Sequence, residues 1–218
     1  MTPKELAARH PFLYHVTTPG AWESIKKNGL LSTTQLLDLF EINAEMRKTI
    51  ETKRRESAIV IEHPHYGRAI INDNLPLNEK SLSKCLDHGL TTADWLRMLN
   101  SRVFFWASKE GLNRLLGARL NRNRLREVLV VDTLSLATTY IDQIEICPIN
   151  SGATIRKAAR RGLNTFSPLE QYSFNEWRKL RGRSDRILEI TVRGAILDIS
   201  DHVSESYLFP QPSCPSRT

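Results

Sequence analysis

Three short strand-like runs, widely separated in the chain, set the problem this sequence has to solve. Leu13-Tyr14-His15-Val16-Thr17 carries a histidine, and Val103-Phe104-Phe105-Trp106-Ala107-Ser108 carries an aromatic step ending in serine. Arg186-Ile187-Leu188-Glu189-Ile190-Thr191-Val192 carries a carboxylate inside an otherwise apolar run. Helices are predicted mainly in the first half, and strands interleave with loops later. Strict alternation of strand and helix is absent, so one α+β domain over residues 1–203 is the simpler solution. No internal repeat or dividing linker is present. Residues 204–218 are rich in Ser and Pro and are expected to be a mobile or extended tail.

Local signals agree with this outline. Thr2-Pro3-Lys4-Glu5 combines a capping hydroxyl, proline at the first helical position and glutamate three residues after the cap. It predicts a helix ending near His10, ahead of Pro11. Residues 19–28 read as a helix with Ala21, Trp22 and Ile25 on one face and Gly29 as its stop. Further helices are predicted over 33–42, 43–55, 81–88, 92–99 and 109–119, and from Ser173 through Leu180. Strands are predicted at 12–16, 58–62, 69–71, 102–107, 127–131, 143–147, 186–192 and 195–199. Asn150-Ser151-Gly152 reads as a polar turn or a ligand loop.

A chain of 218 residues with 40% hydrophobic and 25% charged residues can bury a full core. Its first residues run into a helix with no apolar leader, and no apolar run approaches the ~20 residues that span a bilayer. A cytoplasmic protein with no membrane partner is therefore expected. Cys85, Cys147 and Cys214 are too scattered for a disulfide framework or a zinc site and fit a reducing compartment. His63-Pro64-His65 has a two-histidine spacing but no carboxylate or cysteine at a diagnostic distance, so no metal is expected. GxGxxG, P-loop, GxSxG and CxxC patterns are missing, which argues against Rossmann binding, Walker-type hydrolysis and α/β-hydrolase chemistry. The formal charge of +7 is concentrated in Lys53-Arg54-Arg55 and in residues 119–126, 156–161 and 178–186, a pattern that attracts polyanions.

Taken in order, the three runs and their flanks resemble the ADP-ribosyltransferases, most of all the DarT-type toxins that modify DNA bases. The first part of the likeness is Tyr14-His15-Val16-Thr17, then Trp22-Glu23-Ser24-Ile25, then Gly29-Leu30-Leu31-Ser32. The middle part is the aromatic strand Val103-Phe104-Phe105-Trp106. The late part is Glu189-Ile190-Thr191-Val192 followed by Ala195-Ile196-Leu197-Asp198-Ile199. The likeness implies two small twisted sheets forming a cleft, with helices outside. It implies NAD as a consumed co-substrate, no metal, and transfer of ADP-ribose to a nucleic-acid acceptor, a DNA base being favoured. A toxin or antiphage role follows from it, with an antitoxin or a reversing hydrolase as partner.

The residue types suit that chemistry. Cleaving the nicotinamide–ribose bond builds positive charge on the ribose carbon, and a carboxylate stabilises it. Glu189 is the catalytic candidate. His15 would hold a ribose hydroxyl, with Thr17 as a weaker companion. Phe105 or Trp106 would stack on nicotinamide. Ser108 either caps the following helix or bonds a ribose or phosphate. DarT-type toxins carry an arginine just after the aromatic strand, whereas this chain has Ser108-Lys109-Glu110. Lys109 would supply charge without a bidentate fork, and Arg102 and Arg114 are nearby substitutes. In this fold the loop before the glutamate contacts the acceptor. Here that stretch holds Arg156, Lys157, Arg160, Arg161, Arg178, Lys179, Arg181 and Arg183, interleaved with Phe166, Tyr172, Phe174 and Trp177. Cations for phosphates and rings for unpaired bases suit single-stranded nucleic acid. The alternatives are an ADP-ribosyl or 2′-phosphate transferase acting on RNA or protein, and a non-catalytic nucleic-acid-binding module.

Overall fold

The Thr2 hydroxyl accepts a hydrogen bond from the Glu5 amide at 3.2 Å, and the Glu5 carboxylate accepts one from the Thr2 amide at 2.8 Å. This reciprocal cap starts the first helix, α1 (Pro3–Arg9). The computed structural model describes residues 1–155, 158–181 and 187–210, the side chain of Arg181 excepted. After α1 come β1 (Phe12–Thr17), α2 (Ala21–Asn28), β2 (Leu30–Leu31), α3 (Thr33–Leu39) and α4 (Ala44–Thr52). The hairpin of β3 (Ile59–His63) and β4 (Gly67–Ile71) follows, then α5 (Glu79–Ser83) and α6 (Thr92–Asn100). The second half holds β5 (Arg102–Trp106), α7 (Lys109–Leu116), β6 (Arg126–Asp132), α8 (Thr133–Thr139) and β7 (Ile144–Cys147). It closes with β8 (Ser167–Pro168), α9 (Phe174–Arg181), β9 (Glu189–Arg193), β10 (Ala195–Ile196) and β11 (Val203–Phe209). The protein is thus a mixed α/β protein. Among the described residues no helix is long and apolar enough to cross a membrane.

Seven strands form one antiparallel sheet in the order β11-β6-β1-β5-β9-β7-β8, and β2–β10 and β3–β4 make two separate pairs. The large sheet has a waist. β1 runs against β6 from Phe12–Asp132 through Thr17–Glu127, and β5 against β9 from Arg102–Arg193 through Trp106–Glu189. Between these two ladders, β1 and β5 are in register at the single pair Tyr14–Trp106. Where two small sheets are expected, the described residues form one seven-stranded sheet, whose halves join at one rung, beside two strand pairs.

The main core draws Leu6 of α1, Leu136 of α8 and Trp177 of α9 onto Leu13, Phe105 and Ile190 of three central strands. A second cluster is built around Trp95 and Phe166, whose rings stack with centroids 5.6 Å apart. A third gathers Leu37, Phe40, Ile50, Ile61 and Ile71 from α3, α4 and the β3–β4 hairpin. Gly29 lets α2 turn straight into β2. Its φ is +85°, and a Cβ there would lie 2.9 Å from Leu197 Cα and 3.0 Å from the Ile196 carbonyl oxygen.

Several local expectations give way to tertiary structure. The helix predicted over 81–88 ends at Ser83, because residues 85–87 bond to residue 161 instead. The Arg161 amide donates to the Cys85 carbonyl at 2.9 Å, and the Asp87 amide donates to the Arg161 carbonyl at 2.8 Å. Helix α8 is not anticipated, since its cap, Asp132, is also the last residue of β6. The strand predicted at 195–199 stops at Ile196 and turns into a 3-10 segment, Ile199–Asp201. Residues 204–209, expected in the tail, belong to the edge strand β11, where Tyr207 and Phe209 pack on Leu112, Leu116 and Val128.

Candidate functional site

Glu189 begins β9, paired with Trp106 of β5 on one side and Cys147 of β7 on the other. It is 5% exposed, and Ile190, Thr191 and Val192 after it are buried as well. Covered on both faces, β9 has none of the alternation that separates a cleft face from a core face. A carboxylate in such a place needs hydrogen-bond donors. They come from the turn after β7. The Ser151 amide donates to both carboxylate oxygens at 3.2 Å, and its hydroxyl donates to Oε2 at 2.6 Å. Burial pushes the Glu189 pKa up to about 7, opposed by the Ser151 bonds, the Cys147 thiol and the Arg161 charge.

Arg161 holds this turn in place. It is 2% exposed and donates from Nη1 to the Ser151 carbonyl at 2.8 Å, from Nη2 to Ala153 at 3.1 Å and from Nε to Ala159 at 3.0 Å. Burial pulls its pKa below the usual arginine range. Thr154 pins the far side: its hydroxyl accepts from the Asn78 amide at 2.6 Å and donates to the Asn78 carbonyl at 3.0 Å. Ser151 is therefore fixed from behind while its two donors face Glu189.

Glu189, Ser151 and Gly152 line a cavity of about 230 Å³ together with His15, Phe104 and Trp106. His15 reaches across the waist of the sheet. Its Nδ1 lies 2.9 Å from the Phe104 carbonyl oxygen, and its ring packs edge-on to Phe105 with centroids 5.7 Å apart. A carbonyl can only accept, so Nδ1 carries the proton and Nε2 keeps its lone pair. Burial lowers the His15 pKa, which keeps the ring neutral near neutral pH. Phe105 is 1% exposed and belongs to the main core, although it also lines the cavity. Trp106 is half-buried and rests on Gly111, where a Cβ would come within 2.9 Å of the indole. Phe104 also lines the cavity, with its ring edge-on to Phe166.

A second cavity, of about 400 Å³, shares His15 and Phe104 with the first and extends along α2, α3 and β4. Thr17, Ser24, Arg55, Arg68 and Asn72 are among its walls. Thr17 therefore belongs to this cavity and not to the one holding Glu189.

Other candidates are corrected by their positions. Ser108 and Lys109 are not among the residues lining these two cavities. The Ser108 hydroxyl is used as a cap, accepting from the Gly111 amide at 3.2 Å, and Lys109 is exposed at the same helix start. Arg102 lines the larger cavity but spends its guanidinium on a two-pronged pair with Glu145, at 2.7 and 3.1 Å, and Arg114 is exposed on α7. Arg161, expected on nucleic acid, is instead the buried anchor just described. Arg160 is exposed and paired with Asp87, and Arg178 is exposed on α9 with its guanidinium 5.8 Å from the Phe174 ring. Arg156, Lys157, Arg183 and the Arg181 side chain lie outside the described residues. Phe166, Phe174 and Trp177 are buried, so they pack the cores and are not open to unpaired bases. Among the described residues no cluster of three or more His, Cys, Asp or Glu is placed to hold a metal ion.

The fold and the site thus define a mixed α/β protein with a serine-held carboxylate in a cleft at the waist of its sheet. The chain belongs to a family of unknown function, DUF7002, whose model matches residues 11–203. His15, Ser151 and Glu189 all fall within that span. No curated protein matches the chain.

Proposed function

We propose that the protein has an ADP-ribosyltransferase-like fold and transfers ADP-ribose from NAD to a nucleic-acid acceptor, a DNA base being favoured, with release of nicotinamide. The observation that carries this reading is the Glu189 carboxylate, held by Ser151 on the wall of a cavity that also contains a neutral histidine. The waist at Tyr14–Trp106 supports it, because a sheet that parts there offers a cleft between its halves. The residues present fit NAD. The two adjoining cavities lie within or close to the ~300–1,000 Å³ range of small-molecule sites. Phe104 and Trp106 offer flat surfaces for nicotinamide, and Arg55 and Arg68 offer positive charge for its pyrophosphate.

NAD supplies the ADP-ribosyl group. As the ribose–nicotinamide bond breaks, Glu189 stabilises the positive charge growing on the ribose carbon. A nitrogen of the acceptor base bonds to that carbon, and its proton passes to the Glu189 carboxylate. His15 Nε2 accepts a hydrogen bond from a ribose hydroxyl. Ser151 keeps the carboxylate from rotating away. An activity of this kind calls for a partner that restrains or reverses it, an antitoxin or a hydrolase.

The test is nicotinamide release from NAD by the purified protein with single-stranded DNA, duplex DNA or RNA. Release is expected to be stimulated by one nucleic acid and to fall by about 10²-fold or more in Glu189→Ala. Undiminished turnover in that variant would remove Glu189 from the chemistry. No release with any acceptor, together with no NAD binding, would leave a non-catalytic nucleic-acid-binding protein.

A further inference from the structure

Two basic segments far apart in the sequence, 53–55 and 119–126, meet in space at the turn formed by Asn72, Asp73 and Asn74. Arg55 donates from Nε to the Asn72 carbonyl at 3.0 Å, and its amide donates to Asn74 Oδ1 at 2.5 Å. Arg126 donates to Asn72 Oδ1 at 3.3 Å, and Arg124 pairs with Asp73 at 2.8 Å. Asp73 is the carboxylate that Arg55, Arg124 and Arg126 all feel. Three guanidinium groups around one carboxylate leave net positive charge. Burial, with the Arg124 charge next, pulls the Arg126 pKa down, as crowding of cations requires. Arg119 and Arg122 extend this charge outward, both exposed on the same loop, whose turns are closed by Ala118 and Asn121 carbonyls. Arg55, Asn72 and Asp73 also wall the larger cavity, and Arg68 lies exposed on β4 at the same wall.

We propose that this surface, Arg119, Arg122 and Arg124 continuing past the mouth of the larger cavity, binds the phosphodiester backbone of a single nucleic-acid strand. A dinucleotide enclosed in the cleft would not reach Arg119 and Arg122, which do not line either cavity. Cations placed beyond the enclosed space suit a polymer that enters the cleft at one nucleotide and continues outside. Leu120 and Leu125, 42% and 45% exposed, lie between the arginines and give apolar contact for sugars and unpaired bases. This strand path differs from the stretch before Glu189, where Arg161 is committed to the fold. The inference rests on the transferase reading only for what happens to the strand at Glu189; binding itself needs no turnover.

The experiment is fluorescence anisotropy of labelled single-stranded DNA and RNA oligonucleotides with the full chain across a salt series, without NAD. Wild type is expected to bind one or both with an affinity that falls as salt rises. Arg119→Gln/Arg122→Gln is expected to weaken binding at least about tenfold and to flatten the log–log salt slope by about 1.4, two phosphate contacts at ~0.7 each. Arg119→Lys/Arg122→Lys keeps both charges and is expected to keep the slope. An unchanged slope in the glutamine variant, or no binding by wild type, overturns the proposal. So does a glutamine variant that loses NAD affinity while still holding the oligonucleotide. A chain that binds strands in this way yet never releases nicotinamide would sink the transferase reading and leave this surface standing.

Discussion

At the scale of single residues, Glu189 ties activity and stability to pH in opposite senses. The proposed chemistry needs the carboxylate, so kcat/KM is expected to rise with pH and level off above about 7, the value to which burial brings this group. Ser151→Ala deletes a bond that favours the charged form and is expected to move that limb up by about one pH unit. Ser151→Thr, which keeps a hydroxyl, is expected to restore it; a limb that stays put in Ser151→Ala would show that Ser151 does not tune Glu189. Stability runs the other way. The folded state holds the Glu189 proton more tightly than the unfolded chain, whose value is the ordinary 4.5. The stabilising contribution is complete below that value and is lost as pH rises through about 7, roughly 3 kcal/mol in all. Glu189→Gln is therefore expected to melt higher than wild type at about pH 8 and nearly alike at about pH 4, read by thermal denaturation. A gain of equal size at both pH values would disprove the linkage.

At the scale of elements, the turn after β7 and the join between α2 and β2 carry the site. Arg161→Ala would strand the buried Ser151 carbonyl, take the donor from those of Ala153 and Ala159 and empty a buried space, at a cost of about 3 kcal/mol or more. Urea denaturation measures that loss, and the salt slope of nucleic-acid binding by the folded variant is expected to stay as in wild type. Gly29→Ala meets both a left-handed φ and backbone atoms at 2.9 and 3.0 Å, so a loss of about 2 kcal/mol or more is expected in the same assay. These elements also show what a sequence discloses. Caps are legible because their partners lie three residues away, as at Thr2 and Thr91. Glu189 is legible because a carboxylate interrupts an apolar run. Ser151 shows only as a polar turn, since the group it serves is 38 residues away. Arg161 reads as surface charge because nothing local announces the three carbonyls it binds. Phe174 and Trp177 are three apart, the spacing of a buried helix face, and that reading outweighs the one that placed them beside nucleic acid.

At the scale of the whole molecule, chain order and spatial order part company. β1 and β5 are neighbours in the sheet, and β9 comes between β5 and β7. The carboxylate, the histidine and the aromatic step thus converge from three distant stretches. The basic segments behave in the same way: 53–55 and 119–126 become one surface through a turn belonging to neither. Composition discloses how much positive charge there is, and the fold alone decides where it collects.

The waist has a further meaning. Where a continuous sheet would answer the Phe104 carbonyl with a main-chain amide, an imidazole answers it. The join between the two halves therefore hangs in part on one side chain, and a residue placed to serve a ligand also fastens the sheet that holds it.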